Sequence, residues 1–419
     1  MNRYRNILYV VAFPMAYERR NIGGNISSGS GVINALADRG FNVDVLSDSP
    51  VPGTRNNLRS LRFFSFGLRW LRLFFLTPAP SFTRRIFAIC ENFIFHQVMK
   101  INLWKILRKN EYFFCYVRAS PHAHKIVPLL KKYKVPLVLE VNKPLSMTPF
   151  NNSDAQKWPQ LNSSIKVSFS ERCQYDYASL ITIDSKLRAQ WIIDFVGECY
   201  AKKILVNYNG VDTSFFRPRK KDRRRRLEHG FTDSDVVVCM ASSFRWYNDI
   251  TEMLEIFEKA YALDSNLRFL VVAGNRSIGR GIERHAIDRN LTDIVKVLIE
   301  VPFTDMPKVL GMCDIGMSHF NFKGKWPHNC SIKHMESLAL GQPVVATDIG
   351  EVNFAVRDGS NGYLCGEGDV DAFVNSIVKL AADPYLIAKM GKQARKDAVS
   401  SLDWSNNVER IIQQFQKQI

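Results

Sequence analysis

Apolar and polar positions along this chain follow two alternating rhythms. Short, nearly continuous apolar runs bounded by turn residues read as strands buried on both faces; between them, apolar residues recur at the helical period. In the first half the strand-like runs are NILYVVAF, FNVDVLS, FFCYVRAS, VPLVLEVN, SLITIDS and KILVNYNGV. Helix-like stretches separate them, among them HKIVPLLKKY and GGNISSGSGVINALADRG, in which a glycine-rich loop opens the helix. The second half repeats the pattern, with DVVVCMAS, LRFLVVAG, DIVKVLI, DIGMSHF and PVVAT as strands and ITEMLEIFEKAYAL, GRGIERHAIDRN, MPKVLGMC and VDAFVNSIVKLAAD as helices. Such alternation predicts α/β architecture with parallel sheets covered by helices on both faces. Between the halves lies RPRKKDRRRRLEHG, a run of like charge expected not to pack and assigned to a surface linker or loop. Two doubly wound halves then face each other across a cleft, and the carboxyl ends of their strands, where such sheets bind ligands, point into it.

Bulk composition narrows this only a little. A chain of 419 residues with 46% hydrophobic and 23% charged positions has room for two globular domains. No uncharged apolar run is long enough to span a bilayer. The N-terminal apolar run is short and leads into Glu18-Arg19-Arg20, so it reads as a first buried strand of a cytosolic protein and not as a secretory signal. Eight cysteines without a close pair suggest neither a zinc knuckle nor a disulfide framework.

Charge changes the picture more. The formal net charge is +17, and between Leu58 and Lys109 ten Lys or Arg accompany a single acid, Glu91. Arg62, Arg69 and Arg72 are interleaved with Phe63, Phe64, Phe66, Trp70, Phe74 and Phe75. A basic, aromatic segment of this kind is suited to an anionic membrane surface; the alternative is a core-facing apolar side with a solvated arginine rim. No nucleic-acid-binding module is recognised, so nucleic acid is not expected as a partner.

The stretch HNCSIKHMESLALGQPVVATDIGE, His328 to Glu351, carries the densest chemistry. It reads as a helix leading through a small-residue turn into a strand, with Lys333 and Glu336 one turn apart on one helical face. Unpaired N–H groups at a helix start attract phosphate, a lysine there reinforces the field, and a carboxylate one turn on can accept hydrogen bonds from paired ribose hydroxyls. The competing reading is an exposed intrahelical pair worth about 0.3–0.5 kcal/mol.

NYNGVDTSFFRP at 207–218, KHMESLALGQPVVATDIGE and VRDGSNGYL at 356–364, together with the N-terminal glycine loop, VPLVLEVNKPL and SSFRWYNDITEMLEIF, resemble family 4 of the retaining glycosyltransferases. The resemblance implies the GT-B architecture: an acceptor-side Rossmann-like domain over 1–205, a nucleotide-sugar domain over 206–390, and a helical segment 391–419 packing back toward the first. It implies that Glu336 takes the ribose hydroxyls, that Ser331, Ile332 and Lys333 at the helix start hold the diphosphate, and that Arg245 neutralises the departing diphosphate. Gly23 and Gly24 would let backbone approach donor or acceptor, though a plain helix-entry turn explains them equally well. Glu140 and Asn142, at a strand end, would touch transferred sugar or acceptor, or simply cap the strand. The donor is then a UDP- or GDP-sugar, and neither cofactor nor metal is expected. Members have no agreed protein nucleophile, which leaves the donor phosphate available as base.

Two departures stand out. Where many relatives have a first glutamate, eight positions before Glu336, this chain has His328, expected at the donor sugar; where many have a lysine after the strand end, it has Asn248. Lys323 and Lys325 are candidate substitute charges, and His122 and His124 read as helix-entry histidines without further metal ligands. The expected activity is transfer of a hexose-type sugar to a glycan acceptor, lipid-linked, in bacterial surface polysaccharide or lipopolysaccharide assembly at the cytoplasmic face of the membrane. The alternatives are an inactive scaffold of the same fold within an assembly complex and, less well supported, another GT-B enzyme such as an epimerase.

Overall fold

A computed structural model of the chain describes residues 5–12, 24–47, 51, 53–54, 61–65, 81–147, 166–220, 222–244, 248–322 and 332–419, with 24–27, 61–65 and 81–92 described by backbone alone. The first sheet has seven strands: β1 (Asn6–Val10), β2 (Asn42–Ser47), β3 (Leu61–Ser65), β4 (Phe114–Arg118), β5 (Leu137–Val141), β6 (Ala178–Ile183) and β7 (Ile204–Val206). The second has six: β8 (Val236–Ser242), β9 (Leu267–Ala273), β10 (Val295–Ile299), β11 (Ile315–Ser318), β12 (Val344–Thr347) and β13 (Gly362–Cys365). Their orders are β3-β2-β1-β4-β5-β6-β7 and β10-β9-β8-β11-β12-β13. Every pairing among them is parallel. Each sheet reverses direction once, between β1 and β4 and between β8 and β11, and such switch points open a crevice at the carboxyl ends.

The apolar runs become the central strands because both their faces are covered: β1, β4 and β5 are buried along their whole length. Two strands were not anticipated. β3 is an edge strand beside β2, inside the basic aromatic segment. β13 begins at Gly362, where a Cβ would lie 2.0 Å from the Val344 carbonyl oxygen, so only glycine admits the pairing with β12.

The charged run between the sheets is partly ordered, against expectation. Arg223–Glu228 is a helix capped by Asp222, and Arg226 is 2% exposed. Its guanidinium donates to the carbonyls of Met312, Thr232 and Asp235 and pairs with Asp314 at 3.3 Å. A buried charge is tolerated when most of its donors are filled in this way, here all but Nε among the described residues.

The carboxyl edges of the two sheets face one another. Gly53, after β2, lies against the Phe303 ring after β10, and Asn34 donates to the Gly53 carbonyl at 3.0 Å. The helix Trp404–Gln416 returns to the first sheet, where Trp404, Val408, Ile411 and Phe415 share a core with Ile7, Tyr9, Val32 and Leu36. Arg39 pairs with Glu409 at 3.0 Å across that contact.

Candidate functional site

At the carboxyl edge of the second sheet, between β11 and β12, runs the seven-residue helix Lys333–Ala339. Met335, Leu338 and Ala339 anchor it in the core. Its end is set by LALGQ: Gly341 takes φ 77°, its N–H donates to the Leu338 carbonyl at 3.0 Å, and Gln342 N–H donates to Ser337 at 3.1 Å. At its start, Ile332 occupies the cap position and supplies no side-chain acceptor for the first-turn N–H groups.

Lys333 and Glu336 share a face of this helix, as their spacing predicts. The lysine Nζ donates to both carboxylate oxygens, at 3.2 and 3.0 Å. The contact is not an exposed one: the Glu336 side chain is 0% exposed and that of Lys333 23%. His334 beside it is also buried, neither ring nitrogen has a hydrogen-bond partner among the described residues, and burial pushes its pKa down to about 4. The imidazole is therefore neutral at physiological pH.

A second network ties the ends of β8 and β11 together. Ser242 Oγ donates to Asn248 Oδ1 at 3.1 Å, and Asn248 Nδ2 donates to the His319 carbonyl at 3.0 Å. His319 Nε2 in turn lies 3.0 Å from Glu252 Oε1, and Asn321 binds the other Glu252 oxygen. The His319 hydrogen bond is the main reason the Glu252 carboxyl is held below its ordinary range. Asn248 is thus a buried link between two strand ends. Phe244, just after β8, sits at φ 44°, a left-handed conformation that is strained for a bulky residue and typical of functional turns.

In the first lobe, β4 and β5 place Arg118 opposite Glu140 in register. Arg118 donates to Glu140 Oε1 from Nε at 3.1 Å and from Nη2 at 2.7 Å, and also to Ser28 on the helix Gly24–Asp38. Glu140 is 8% exposed, and its Oε2 has no partner among the described residues. Tyr9 stacks on Tyr116 beside this pair, with ring centroids 5.3 Å apart; burial, then the charge of Glu140, raises the Tyr116 pKa well above its usual value. Glu140 is therefore half of an interior ion pair and not a simple strand cap. Asn142 contributes its backbone carbonyl, which accepts from Arg188; Arg188 pairs with Asp184 at 2.6 Å, and burial still raises the Asp184 pKa.

A carboxylate also links the lobes. Glu351, after β12, accepts from Ser185 Oγ at 3.3 Å and from the Lys186 N–H at 2.5 Å, both following β6.

Of the residues singled out in the sequence, Lys333, Glu336, Ile332 and Asn248 gather around the second switch point, while Gly24, Glu140 and Asn142 belong to the carboxyl edge of the first sheet. Arg245, His328, Ser331, Gly23, Lys323 and Lys325 lie outside the described residues, as do 58–60 and 66–80 of the basic aromatic segment. Among the described residues, no group of three or more His, Cys, Asp or Glu is placed to hold a metal ion, and no helix is long and apolar enough to cross a membrane.

Comparison with a solved structure decides the architecture: HepE from Anabaena, determined with UDP and glucose, superposes with a TM-score of 0.68 over 99% of this chain and 100% of that one, at 17% identity. The fold is GT-B. Within the GT-B frame, residues 221–397 match the family described as glycosyl transferases group 1. A D-inositol 3-phosphate glycosyltransferase of Gordonia bronchialis is 32% identical over 248 residues, covering 58% of this chain and 53% of the relative. The GDP-mannose-dependent alpha-(1-6)-phosphatidylinositol monomannoside mannosyltransferase of Mycolicibacterium smegmatis is 27% identical over 205 residues, covering 48% and 53%. The chain spans about half the length of these curated relatives.

Several residues of this GT-B cleft escaped the reading of the sequence. Arg118 carried a signal, since a charge inside the apolar run FFCYVRAS requires a partner, and Glu140 is the matching charge inside VPLVLEVN. Glu351, His319 and Glu252 carried none: their partners are 67 or more residues away, and only the fold brings them together.

Proposed function

We propose that this chain is a retaining, family-4 glycosyltransferase that moves a hexose-type sugar from a UDP- or GDP-sugar to a lipid-linked glycan acceptor in bacterial surface polysaccharide or lipopolysaccharide assembly. The observation that carries the reading is the fully buried Glu336, held by Lys333 at the uncapped start of a helix on the carboxyl edge of a doubly wound sheet. A diphosphate lying over that helix start meets N–H groups and the lysine ammonium; as Lys333 turns toward it, Glu336 is left to accept hydrogen bonds from the ribose hydroxyls. Leaving-group charge develops on the diphosphate, and cations beside it would lower the barrier: Lys333, and Arg245 by the role the family resemblance implies for it. The relatives named for glycosyl transfer, and a solved neighbour holding UDP and glucose, support the same reading.

Asn248 favours a second reading: its amide is committed to Ser242 and His319, and it supplies no cation where many family-4 members have one. An inactive donor-binding scaffold would look the same at this position. Thermal unfolding with a panel of nucleotides and sugar nucleotides tests the first step, because a ligand of the native form raises the melting temperature. A UDP or GDP compound is expected to raise it in the wild type and to lose most of that effect in Glu336→Ala. A flat panel would sink the donor assignment, whereas binding without transfer of labelled sugar to membranes would favour the scaffold.

A further inference from the structure

From Phe93 onward, the helix Ser81–Leu107 has an ordinary inner face and an anomalous outer one. Phe95, Met99, Leu103 and Ile106 are buried in the first-lobe core. An outer face would ordinarily be polar, yet Phe93 is 61%, Ile101 51% and Trp104 37% exposed. With Gln97, Lys100 and Arg108 they fall at positions 93, 97, 100, 101, 104 and 108, one continuous helical stripe. The Arg108 guanidinium lies 4.6 Å over the Trp104 ring.

Beside this stripe is a shallow hollow of about 310 Å³, closed on its far side by Lys125, Pro128 and Leu129. Lys100 and Lys125 both line it, and neither ammonium group has an ion-pair or hydrogen-bond partner among the described residues. Their charges act on each other and on His96 behind them, and among the described residues no carboxylate lines the hollow. Two uncompensated ammonium groups over an apolar floor, ringed by exposed aromatic and aliphatic side chains, match the chemistry of an anionic headgroup above acyl chains.

We infer that this face is a docking surface for an anionic lipid bilayer, with a headgroup phosphate seated between Lys100 and Lys125 and with Phe93, Ile101 and Trp104 entering the interface. The inference deepens the reading of a lipid-linked acceptor and rests on it for its purpose, since docking here would hold the acceptor-side lobe against the membrane.

Co-sedimentation of the full chain with vesicles tests it without donor or acceptor. Binding is expected to vesicles of phosphatidylcholine mixed with phosphatidylglycerol, and not to phosphatidylcholine alone. Lys100→Glu combined with Lys125→Glu should weaken it by about thirtyfold or more, Trp104→Ala severalfold, and Lys100→Arg with Lys125→Arg hardly at all. Unchanged melting temperatures show that these exposed substitutions leave the fold intact. Equal binding to both vesicle types, or binding indifferent to the double charge reversal, overturns the assignment. So does a concentration-dependent dimer abolished by Trp104→Ala, which would give the face to a second copy. Nucleotide-induced stabilisation is read separately: if vesicle docking fails while UDP or GDP binding holds, only the docking surface is lost, and the reverse result removes the donor reading alone.

Discussion

Each lobe buries a carboxylate beside a cation at the carboxyl edge of its sheet, but the two pairs are built in opposite ways. Arg118 and Glu140 sit on neighbouring strands, both about 10% exposed, joined through two nitrogens to a single oxygen. Lys333 and Glu336 are one turn apart on one helix, and the cation keeps 23% exposure while the carboxylate has none. A guanidinium fork fixed between strands is a strut; an ammonium on a flexible stem is a point charge that can turn to another anion without moving the backbone. The first pair therefore belongs to stability and the second to ligand exchange. The other Glu140 oxygen, which has no hydrogen-bond partner among the described residues, is a separate matter: it can accept a hydrogen bond from a hydroxyl while the first oxygen stays on Arg118.

The sharpest way to break the comparison is to remove the cation on each side. Arg118→Ala leaves Glu140 buried and unpaired, and such losses cost about 3–5 kcal/mol. Urea unfolding should show that drop, while Arg118→Met with Glu140→Leu should recover most of it. If Arg118→Ala unfolds at the wild-type midpoint, the pair is not a strut.

Lys333→Met is the counterpart: it too takes the cation from a buried carboxylate, and it adds a specific effect on the ligand. A charge-assisted contact to phosphate is worth about 1.5–3 kcal/mol, so donor affinity should fall by about ten- to a hundredfold. Calorimetric titration with the nucleotide found by thermal shift measures it. An affinity unchanged by Lys333→Met would reduce the helix start to a structural turn and return the lysine to being only the partner of Glu336.

The contrast also explains what could be read without a structure. Periodicity exposed the buried strands because parallel sheets demand apolar residues on both faces, and LALGQ announced its helix stop because the turn there requires a left-handed glycine. The Lys333–Glu336 pair was visible because its spacing is local, but its burial was not, because that depends on elements packed from elsewhere in the chain. Arg226 shows the converse: a run of arginines looks solvated until three carbonyls and Asp314 are brought to one of them. The interlobe carboxylate Glu351 closes the stretch His328–Glu351, and nothing local distinguishes it from an exposed loop acid.

Each lobe also buries an imidazole without hydrogen-bond partners among the described residues, His96 in the first and His334 in the second. Burial alone brings His334 down to about 4; His96 is brought to about 3 by burial first and then by Lys125, His122 and Lys100. Both are neutral in the native protein and take up a proton on unfolding, where the ordinary value is 6.5. Between the native and unfolded values the unfolded chain holds the extra proton, so stability is complete above the unfolded value and is lost as pH falls toward the native one. Each group contributes a slope of about 1.4 kcal/mol per pH unit within its window. His334→Leu should flatten the profile between 6.5 and about 4 by that amount, equally at low and high salt, because no neighbouring charge is involved. His96→Leu should flatten a window reaching further into acid, one that salt narrows by screening the partly exposed lysines. Urea midpoints across both windows at two ionic strengths decide it. If the His96 profile ignores salt as that of His334 does, the lysines at the hollow do not reach the imidazole behind them, and the two lobes bury their histidines in the same way.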